Sequence, residues 1–239
     1  MTEKQFNKWF NAFIVIGMAV VTVIVTAIKL RGAENGQLLL IISAVGSLSG
    51  VLATVLSANA RILTFLFGLI DVLIYGAACL AGAKYGNAAL HILYFLPMQF
   101  VGFFQWKKRG QSSKGEVKAR RLNGKQWMLY GGIFLAGLVI AYVLLSMADK
   151  TEAASVIRWM VLMDAFSMMC NILGQYLMST AYRDQWYFWI GVNVATVIMW
   201  GLTLRHDPSS AYATIYIVKY GFYLLNSFNG LRIWNRLSK

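Results

Sequence analysis

Charged side chains are scarce in this chain, since they make up 13% of its 239 residues, against about 25% in a typical soluble domain. Only nine Asp and Glu, two Cys, two His and two Pro are present. We find no His/Asp/Glu cluster with the spacing of metal ligands, no glycine-rich phosphate loop and no nucleophile beside a base. The sequence therefore predicts no metal and no cofactor, and it disfavours a nucleotide-driven pump and an intramembrane enzyme.

Apolar residues, by contrast, make up 59% of the chain and gather into eight runs of the length that an α-helix needs to cross about 30 Å of hydrocarbon. The runs are apolar all round rather than on one face, which indicates lipid surroundings. Cys79 and Cys170 lie inside them as small apolar fillers. We predict transmembrane helices at Phe10–Leu30, Leu38–Asn59, Arg61–Gly82, Ala88–Trp106, Met128–Met147, Val156–Tyr182, Trp186–Leu204 and Ala211–Trp234.

Basic residues are distributed unevenly between the loops. If all eight runs cross, fifteen of the 22 Lys and Arg fall on one side of the membrane and six on the other. The positive-inside rule then places both termini in the cytoplasm. The loop from Lys107 to Lys125 carries eight of these charges, and we expect it to lie beside anionic lipid. The net charge of +13 thus reports topology, and we predict no nucleic-acid partner.

Two segments of the chain resemble each other. YFLPMQFVGFFQWKK, residues 94–108, aligns without gaps with FYLLNSFNGLRIWNR, residues 222–236, so that Gly102 meets Gly230 and Trp106 meets Trp234. Two parallel three-helix repeats joined by one helix are therefore expected. The predicted parts are residues 1–36, an extra N-terminal helix; 37–106, a first bundle; 107–155, the basic loop and a connecting helix; and 156–239, a second bundle.

The expected fold is thus an all-α integral membrane protein with eight transmembrane helices, one of them extra and the rest arranged 3+1+3. SWEET-type sugar carriers use this arrangement, which favours transport by analogy alone. Small residues in the second run, Gly46 and Gly50 among them, permit close helix packing and leave a homo-oligomer possible.

Amide side chains within the runs give a sharper indication, because polar groups in hydrocarbon are costly unless they face a partner or a wet cavity. At about 1.5 Å of rise per residue, Gln175, Asn193 and Asn226 fall at similar depths. They either join helices or bind a ligand. The candidate substrate-binding residues are Gln99, Gln175, Trp186, Trp189, Asn193, Lys219, Tyr223 and Asn226.

Aromatic residues surround the same depth. Trp186, Trp189 and Asn193 share one face of the seventh run. We expect Trp106, Trp186 and Trp234, at helix ends, to be interfacial anchors, and Trp189 to be a wall of the site. An aromatic face beside amides suits a planar cation that carries a carboxamide.

Three ionisable residues lie inside the runs. Asp164 and Lys219 are each eight residues from the same membrane side, and we predict that they pair, either structurally or as a gate. Asp71 lies near the midplane. It could balance a cationic substrate, carry a coupling proton or sit protonated against a neighbouring helix, and the sequence leaves these alternatives open.

WYFWIGVN in the seventh run, the Tyr-rich face of the eighth and the two G-x-x-x-W elements resemble the PnuC-type nicotinamide riboside transporters. The resemblance runs from about Gly46 to the C-terminus. It implies a carrier in the bacterial inner membrane that takes up nicotinamide riboside, an NAD precursor, by facilitated diffusion with trapping by cytoplasmic phosphorylation. Met98 stands where Asn226 stands in the second unit, so the ligand is expected mostly in the second bundle.

Other functions remain possible on this reasoning. The same scaffold could carry a sugar, another vitamin or another nucleoside, none of which needs a cation-binding aromatic face. A receptor or an intramembrane enzyme is less favoured, because the chain has neither a signalling domain nor a catalytic cluster.

Overall fold

The computed structural model describes residues 2–32, 37–81, 85–110, 115–148, 155–206, 208 and 211–239. Within these residues it contains long helices and no β-strand. They follow the eight predicted runs. Their bounds are α1, Glu3–Arg31; α2, Gln37–Ala58; α3, Thr64–Ala81; α4, in three segments, Tyr85–Ala89, Leu90–Phe95 and Leu96–Arg109; α5, Gly124–Ala148; α6, Ser155–Ser179; α7, Gln185–His206; and α8, Ala211–Leu237.

In the described part of the chain, seven helices are both long enough and apolar enough to cross a membrane. The exception is α8, which has the length, at 27 residues, but is more polar. Its polar side chains face protein, since Asn226, Ser227 and Asn229 are 2%, 3% and 5% exposed. Because these groups avoid lipid, the composition of α8 is compatible with a membrane crossing.

Both ends of the chain lie on one side of the helix bundle. Thr2 caps α1 through a capping box with Gln5. Glu3, in the first turn of α1, forms ion pairs with Arg236 and, at 3.6 Å, with Arg232 in the last turns of α8. An even number of crossings explains this pairing. We call this side of the protein the terminal side.

The helices form two units of three, α2–α4 and α6–α8. In each unit the middle helix, α3 or α7, packs against both of the others. The units meet along two seams, one between α2 and α8 and the other between α4 and α6. The extra helix α1 packs against both helices of the α2–α8 seam, while the connecting helix α5 packs against α6. The 3+1+3 arrangement with an extra N-terminal helix is confirmed.

Small residues of α2 serve packing inside the chain. A Cβ built on Gly46 would lie 2.7 Å from the Ile74 side chain, and one on Gly50 would lie 2.8 Å from the Asp71 carboxyl. Both neighbours belong to α3. The glycines that left a homo-oligomer possible are therefore used to bring α2 and α3 together.

The repeat predicted from G-x-x-x-W is also visible in the packing. A Cβ on Gly102 would lie 2.1 Å from the Phe65 ring, and one on Gly230 would lie 2.5 Å from the Trp186 ring. In both units, therefore, a glycine of the third helix receives an aromatic ring from the start of the second helix. The two G-x-x-x-W elements occupy equivalent places.

The first helix of each unit ends in the same way. Ala60 and Ala181 both have a left-handed backbone, with φ of 54° and 59°. At the end of α2, the Ala60 N–H donates to Ser57 O and the Arg61 N–H donates to Leu56 O, both at 2.9 Å. The bonds around Ala181 have the same pattern. These are Schellman motifs, which usually contain glycine at the left-handed position.

One turn of α4 is irregular. Residues Leu90–Phe95 form a π-helical segment directly before Pro97, which has no N–H to donate to the preceding turn. From this segment the Tyr94 hydroxyl donates to Ile172 O of α6 at 2.6 Å. The segment thereby joins the two units at the α4–α6 seam.

Substitution of Gly102 by alanine should lower the thermal unfolding temperature of the detergent-solubilised protein, because Phe65 is 2% exposed and has little space to move away from a new Cβ. Overpacking of this kind costs about 1–3 kcal/mol. Gly131→Ala is the matched control, since nothing lies within 4 Å of its Cβ position. Equal unfolding temperatures for the two variants would contradict the close approach.

Candidate functional site

The two repeated tryptophans join the units at the terminal side. The Trp106 Nε1–H donates to Met178 O at 2.8 Å, and the Trp234 Nε1–H donates to Ser57 O at 2.9 Å. Each bond runs from the third helix of one unit to the end of the first helix of the other unit. The two bonds are equivalent, because Ser57 and Met178 each precede a left-handed alanine by three residues.

These tryptophans are not interfacial anchors. Trp106 and Trp234 are fully buried and Trp186 is 3% exposed, and the ring centroids of Trp106 and Trp186 lie 5.4 and 6.4 Å from that of Trp234. The expected anchoring role is therefore wrong for all three. The reason is that the helix ends converge between the two units, so that the indoles pack on one another instead of facing lipid headgroups.

A segment of the basic loop, residues 115–123, crosses this tryptophan cluster, and we call it the strap. Its Val117 N–H donates to Ala60 O, and its Arg120 N–H donates to Ala181 O, both at 3.0 Å. The strap thus binds the left-handed turns of both units. It also caps a buried carboxylate, since the Leu122 N–H donates to Asp184 Oδ2 at 2.8 Å. With Trp106, Trp186 and Trp234, it closes the terminal side.

Arginines of the strap serve structure as well as topology. The Arg120 guanidinium lies 4.0 Å from the centroid of the Tyr182 ring and donates from Nε to Thr180 O at 3.0 Å. Arg236 of α8 lies 3.7 Å from Glu116. Sequence reasoning placed the loop charges, including Arg120, beside lipid and missed the bonds that Arg120 makes to the second unit.

The predicted amides lie in different places between the helices. The Asn193 Nδ2–H of α7 donates to Ser227 Oγ of α8 at 3.0 Å, inside the second unit. The Asn226 Nδ2–H donates to Thr54 O at 3.1 Å across the α2–α8 seam. All of the predicted amides are buried, but none of these bonds joins one amide to another.

Gln175 lies at the opposite seam. Its Nε2–H donates to Ser179 Oγ at 3.1 Å, and that hydroxyl donates to Met98 O of α4, also at 3.1 Å. Gln99 donates to Phe95 O in its own helix at 3.2 Å. The amides therefore belong to both seams and to the second unit, and they do not form a single cluster in α6, α7 and α8.

Three polar atoms of the predicted residues are buried without a hydrogen-bond partner in the described part of the chain: Asn226 Oδ1, Trp186 Nε1 and Gln99 Oε1. The first and third are acceptors and the second is a donor. Buried polar groups nearly always have partners. Each of these three atoms therefore has the capacity for one more hydrogen bond.

Trp189 is half-buried in α7. Its Nε1–H donates to Gln185 Oε1 at 3.4 Å, and its ring covers Gly174 of α6, where a Cβ would lie 3.1 Å away. The ring therefore stands between two helices of the second unit, with part of its surface accessible. The role of Trp189 as a wall of the site stays a prediction.

The predicted pair of Asp164 and Lys219 is not formed in this structure. Asp164 is exposed, and within the described residues no ion pair joins it to Lys219. Lys219 interacts electrostatically with Asp71 instead. The two predicted partners share a depth but point in different directions around their helix axes, and sequence depth alone does not reveal direction.

Sequence reasoning missed a cavity with a mixed polar and apolar lining at the α1 side of the α2–α8 seam. Its volume is about 120 Å³. Hydroxyl and ammonium groups line it, from Thr22, Thr26, Lys29, Ser43, Ser47 and Lys219. The signal was present, because Thr22 with Thr26 and Ser43 with Ser47 each share a helix face at a spacing of four.

Known proteins resemble this chain over most of its length. Residues 40–236 match the family described as nicotinamide mononucleotide transporter. A nicotinamide riboside transporter PnuC of Neisseria mucosa is 30% identical over 83% of this chain and 73% of its own length. The protein of that name from Haemophilus influenzae is 29% identical over 82% and 79%.

A solved structure has the same fold. It is a crystal structure of the vitamin B3 transporter PnuC, with a TM-score of 0.68 and 26% identity, and the match covers 99% of this chain and 92% of the other. Since the match covers nearly the whole chain, α1 is included in the shared architecture.

Substitution of Asp184 by alanine should release the strap. Asp184 is 1% exposed and accepts the Leu122 N–H, so its removal leaves that amide unsatisfied at a cost of about 1–3 kcal/mol. Limited proteolysis should then cut residues 115–123 faster than in the parent. Asp164→Ala removes an exposed carboxylate and should leave the cleavage rate unchanged. Equal cleavage of the Asp184 variant and the parent would contradict the bond.

Proposed function

Since this chain belongs to the nicotinamide mononucleotide transporter family, we propose that it carries nicotinamide riboside, the substrate for which its bacterial relatives are named. It is a transporter and not an enzyme. The observation that supports the choice of substrate is that three polar atoms of helices in both units, Asn226 Oδ1, Trp186 Nε1 and Gln99 Oε1, are buried without a hydrogen-bond partner in the described part of the chain.

The chemistry of nicotinamide riboside fits these groups. Its carboxamide both donates and accepts, as do the side chains of Asn193, Asn226 and Gln99. Its pyridinium ring carries a fixed positive charge, which the half-buried face of Trp189 attracts. A mononucleotide would add a phosphate with a charge of about −1.5 to −2. We propose that the site has no arginine to receive that phosphate.

The units suggest how the carrier moves. Two similar bundles that meet at two seams can rock around a site held between them. The terminal side is closed in this structure by Trp106, Trp186, Trp234 and the strap. We propose that opening separates the indole N–H groups from Ser57 O and Met178 O, and that the strap limits the separation.

We assign the terminal side to the cytoplasm of a bacterial inner membrane. Basic residues concentrate on that side, and the strap carries several of them. We further propose facilitated diffusion, with cytoplasmic phosphorylation trapping the product. The parts would be residues 1–36, 37–106, 107–155 and 156–239. Association of copies would use a surface other than the small-residue face of α2, which packs on α3.

Liposomes that contain the purified protein and unlabelled nicotinamide riboside should take up labelled nicotinamide riboside by counterflow. Excess external nicotinamide riboside should abolish this uptake, whereas nicotinamide mononucleotide, neutral nucleosides and sugars should leave it nearly unchanged. An uncoupler should not slow it if the transport is facilitated diffusion. Binding without counterflow would favour a receptor, and strong competition by a neutral nucleoside or a sugar would favour a different substrate on the same scaffold.

Substitution of Asn193 by leucine should weaken binding of nicotinamide riboside by roughly 5- to 150-fold, because the desolvated carboxamide loses a partner worth about 1–3 kcal/mol. Trp189→Ala should cost at least as much. Isothermal titration of well-folded variants measures both effects. Ser227→Ala is the matched control, since it removes the bond that Asn193 makes while keeping the amide. Parent-like affinity in both test variants would place the site elsewhere.

A further inference from the structure

Asp71 brings a carboxyl group of the first unit to the junction with the second. It lies seven residues after Thr64, near the middle of the 18-residue helix α3. Its carboxyl group reaches α2 where Gly50 lacks a side chain, since a Cβ there would lie 2.8 Å away. Asp71 also interacts electrostatically with Lys219 and Tyr223 of α8.

Lys219 balances this carboxylate only in part. In the described part of the chain, no ion pair within 4 Å joins Lys219 to any acidic residue. Its ammonium nitrogen lies 6.0 and 5.9 Å from the ring centroids of Tyr216 and Tyr223. Lys29 of α1 lines the cavity beside α1 together with Lys219, and its positive charge opposes that of Lys219. Asp71 and Lys219 thus lie close enough to interact electrostatically, but within the described residues they form no ion pair.

One aromatic residue of α8 lies near Asp71. Tyr223 is close enough to Asp71 to interact with it electrostatically, and it packs against the cluster that joins α1 to α2. A carboxylate beside an aromatic ring can attract a cation through its own charge and through the ring quadrupole. A neutral ligand gains from neither effect.

We propose that Asp71 selects ligands with a fixed positive charge and that Lys219 limits the strength of this selection. The inference rests on the proposed function, because nicotinamide riboside is the cation concerned. Lys219 opposes any cation that approaches Asp71. It thereby keeps the affinity low enough for release, which a carrier needs as much as binding.

The test compares nicotinamide riboside with dihydronicotinamide riboside, which has the same carboxamide and ribose but an uncharged ring. Dissociation constants for both compounds are measured with the parent protein, with Asp71→Asn and with Lys219→Met. Asp164→Asn is the matched control, since it removes a carboxylate of α6 that is not paired with Lys219. The quantity compared is the ratio of the two dissociation constants in each protein.

In Asp71→Asn, the preference for the cation should fall by about tenfold or more, while the neutral compound keeps its affinity. In Lys219→Met, the preference should rise, and Asp164→Asn should not change it. If Asp71 and Lys219 form only a structural link, each substitution will weaken both compounds equally and the ratio will stay constant, which overturns the proposal. Lys219→Met decides the matter independently should Asp71→Asn fail to fold.

These outcomes are separate from a failure of the proposed function. If the parent protein binds neither compound, the choice of substrate is wrong. If the parent binds nicotinamide riboside and the ratio does not respond to Asp71 or Lys219, the substrate is right and the charge selection lies elsewhere.

Discussion

The third helix of each unit donates an indole N–H to a carbonyl oxygen at the end of the first helix of the other unit. The terminal side of the protein is organised around these two hydrogen bonds. Each carbonyl already accepts the N–H of the left-handed alanine three residues later, and its oxygen can accept a second hydrogen bond. Trp106 and Trp234 supply one each. Because each bond crosses between units, the units cannot separate at this side without exposing a carbonyl and an indole. The strap adds bonds to the turns that follow both carbonyls.

The helices and their repeat could be predicted because they depend on one-dimensional signals. Apolar length predicts a crossing, and the spacing of Gly102 and Trp106 recurs at Gly230 and Trp234. What the sequence did not reveal was direction around each helix axis. Trp186 and Trp234 were expected to face lipid headgroups and are buried. Lys219 shares a depth with Asp164 but interacts with Asp71. Depth follows from counting residues, whereas direction depends on which helices become neighbours.

The polar residues within the helices were the second reason why the sequence did not predict the cavity or the surroundings of α8. The hydroxyls that line the cavity beside α1 belong to helices whose overall character is strongly apolar, so they do not change the expected crossing. In α8, by contrast, Lys219 and the asparagines do change the overall composition, because they make the helix more polar than a lipid-facing span. Asn226 and Asn229 are nevertheless buried. A transmembrane helix that is surrounded by protein can contain such groups, and its composition then reports the neighbours rather than the bilayer.

The two units have the same packing but different chemistry. Phe65 of the first unit takes the place that Trp186 has in the second, against the glycine that recurs in both repeats. In the same way, Met98 stands where Asn226 stands. In the proposed site, the first unit would contribute the carboxyl group of Asp71, and the second would contribute Asn193, Asn226 and Trp189. On the proposed function, a ligand that is both a cation and an amide would then contact both units at once. Its binding energy would depend on how the units are placed, which is the condition for a ligand to shift an equilibrium between two arrangements.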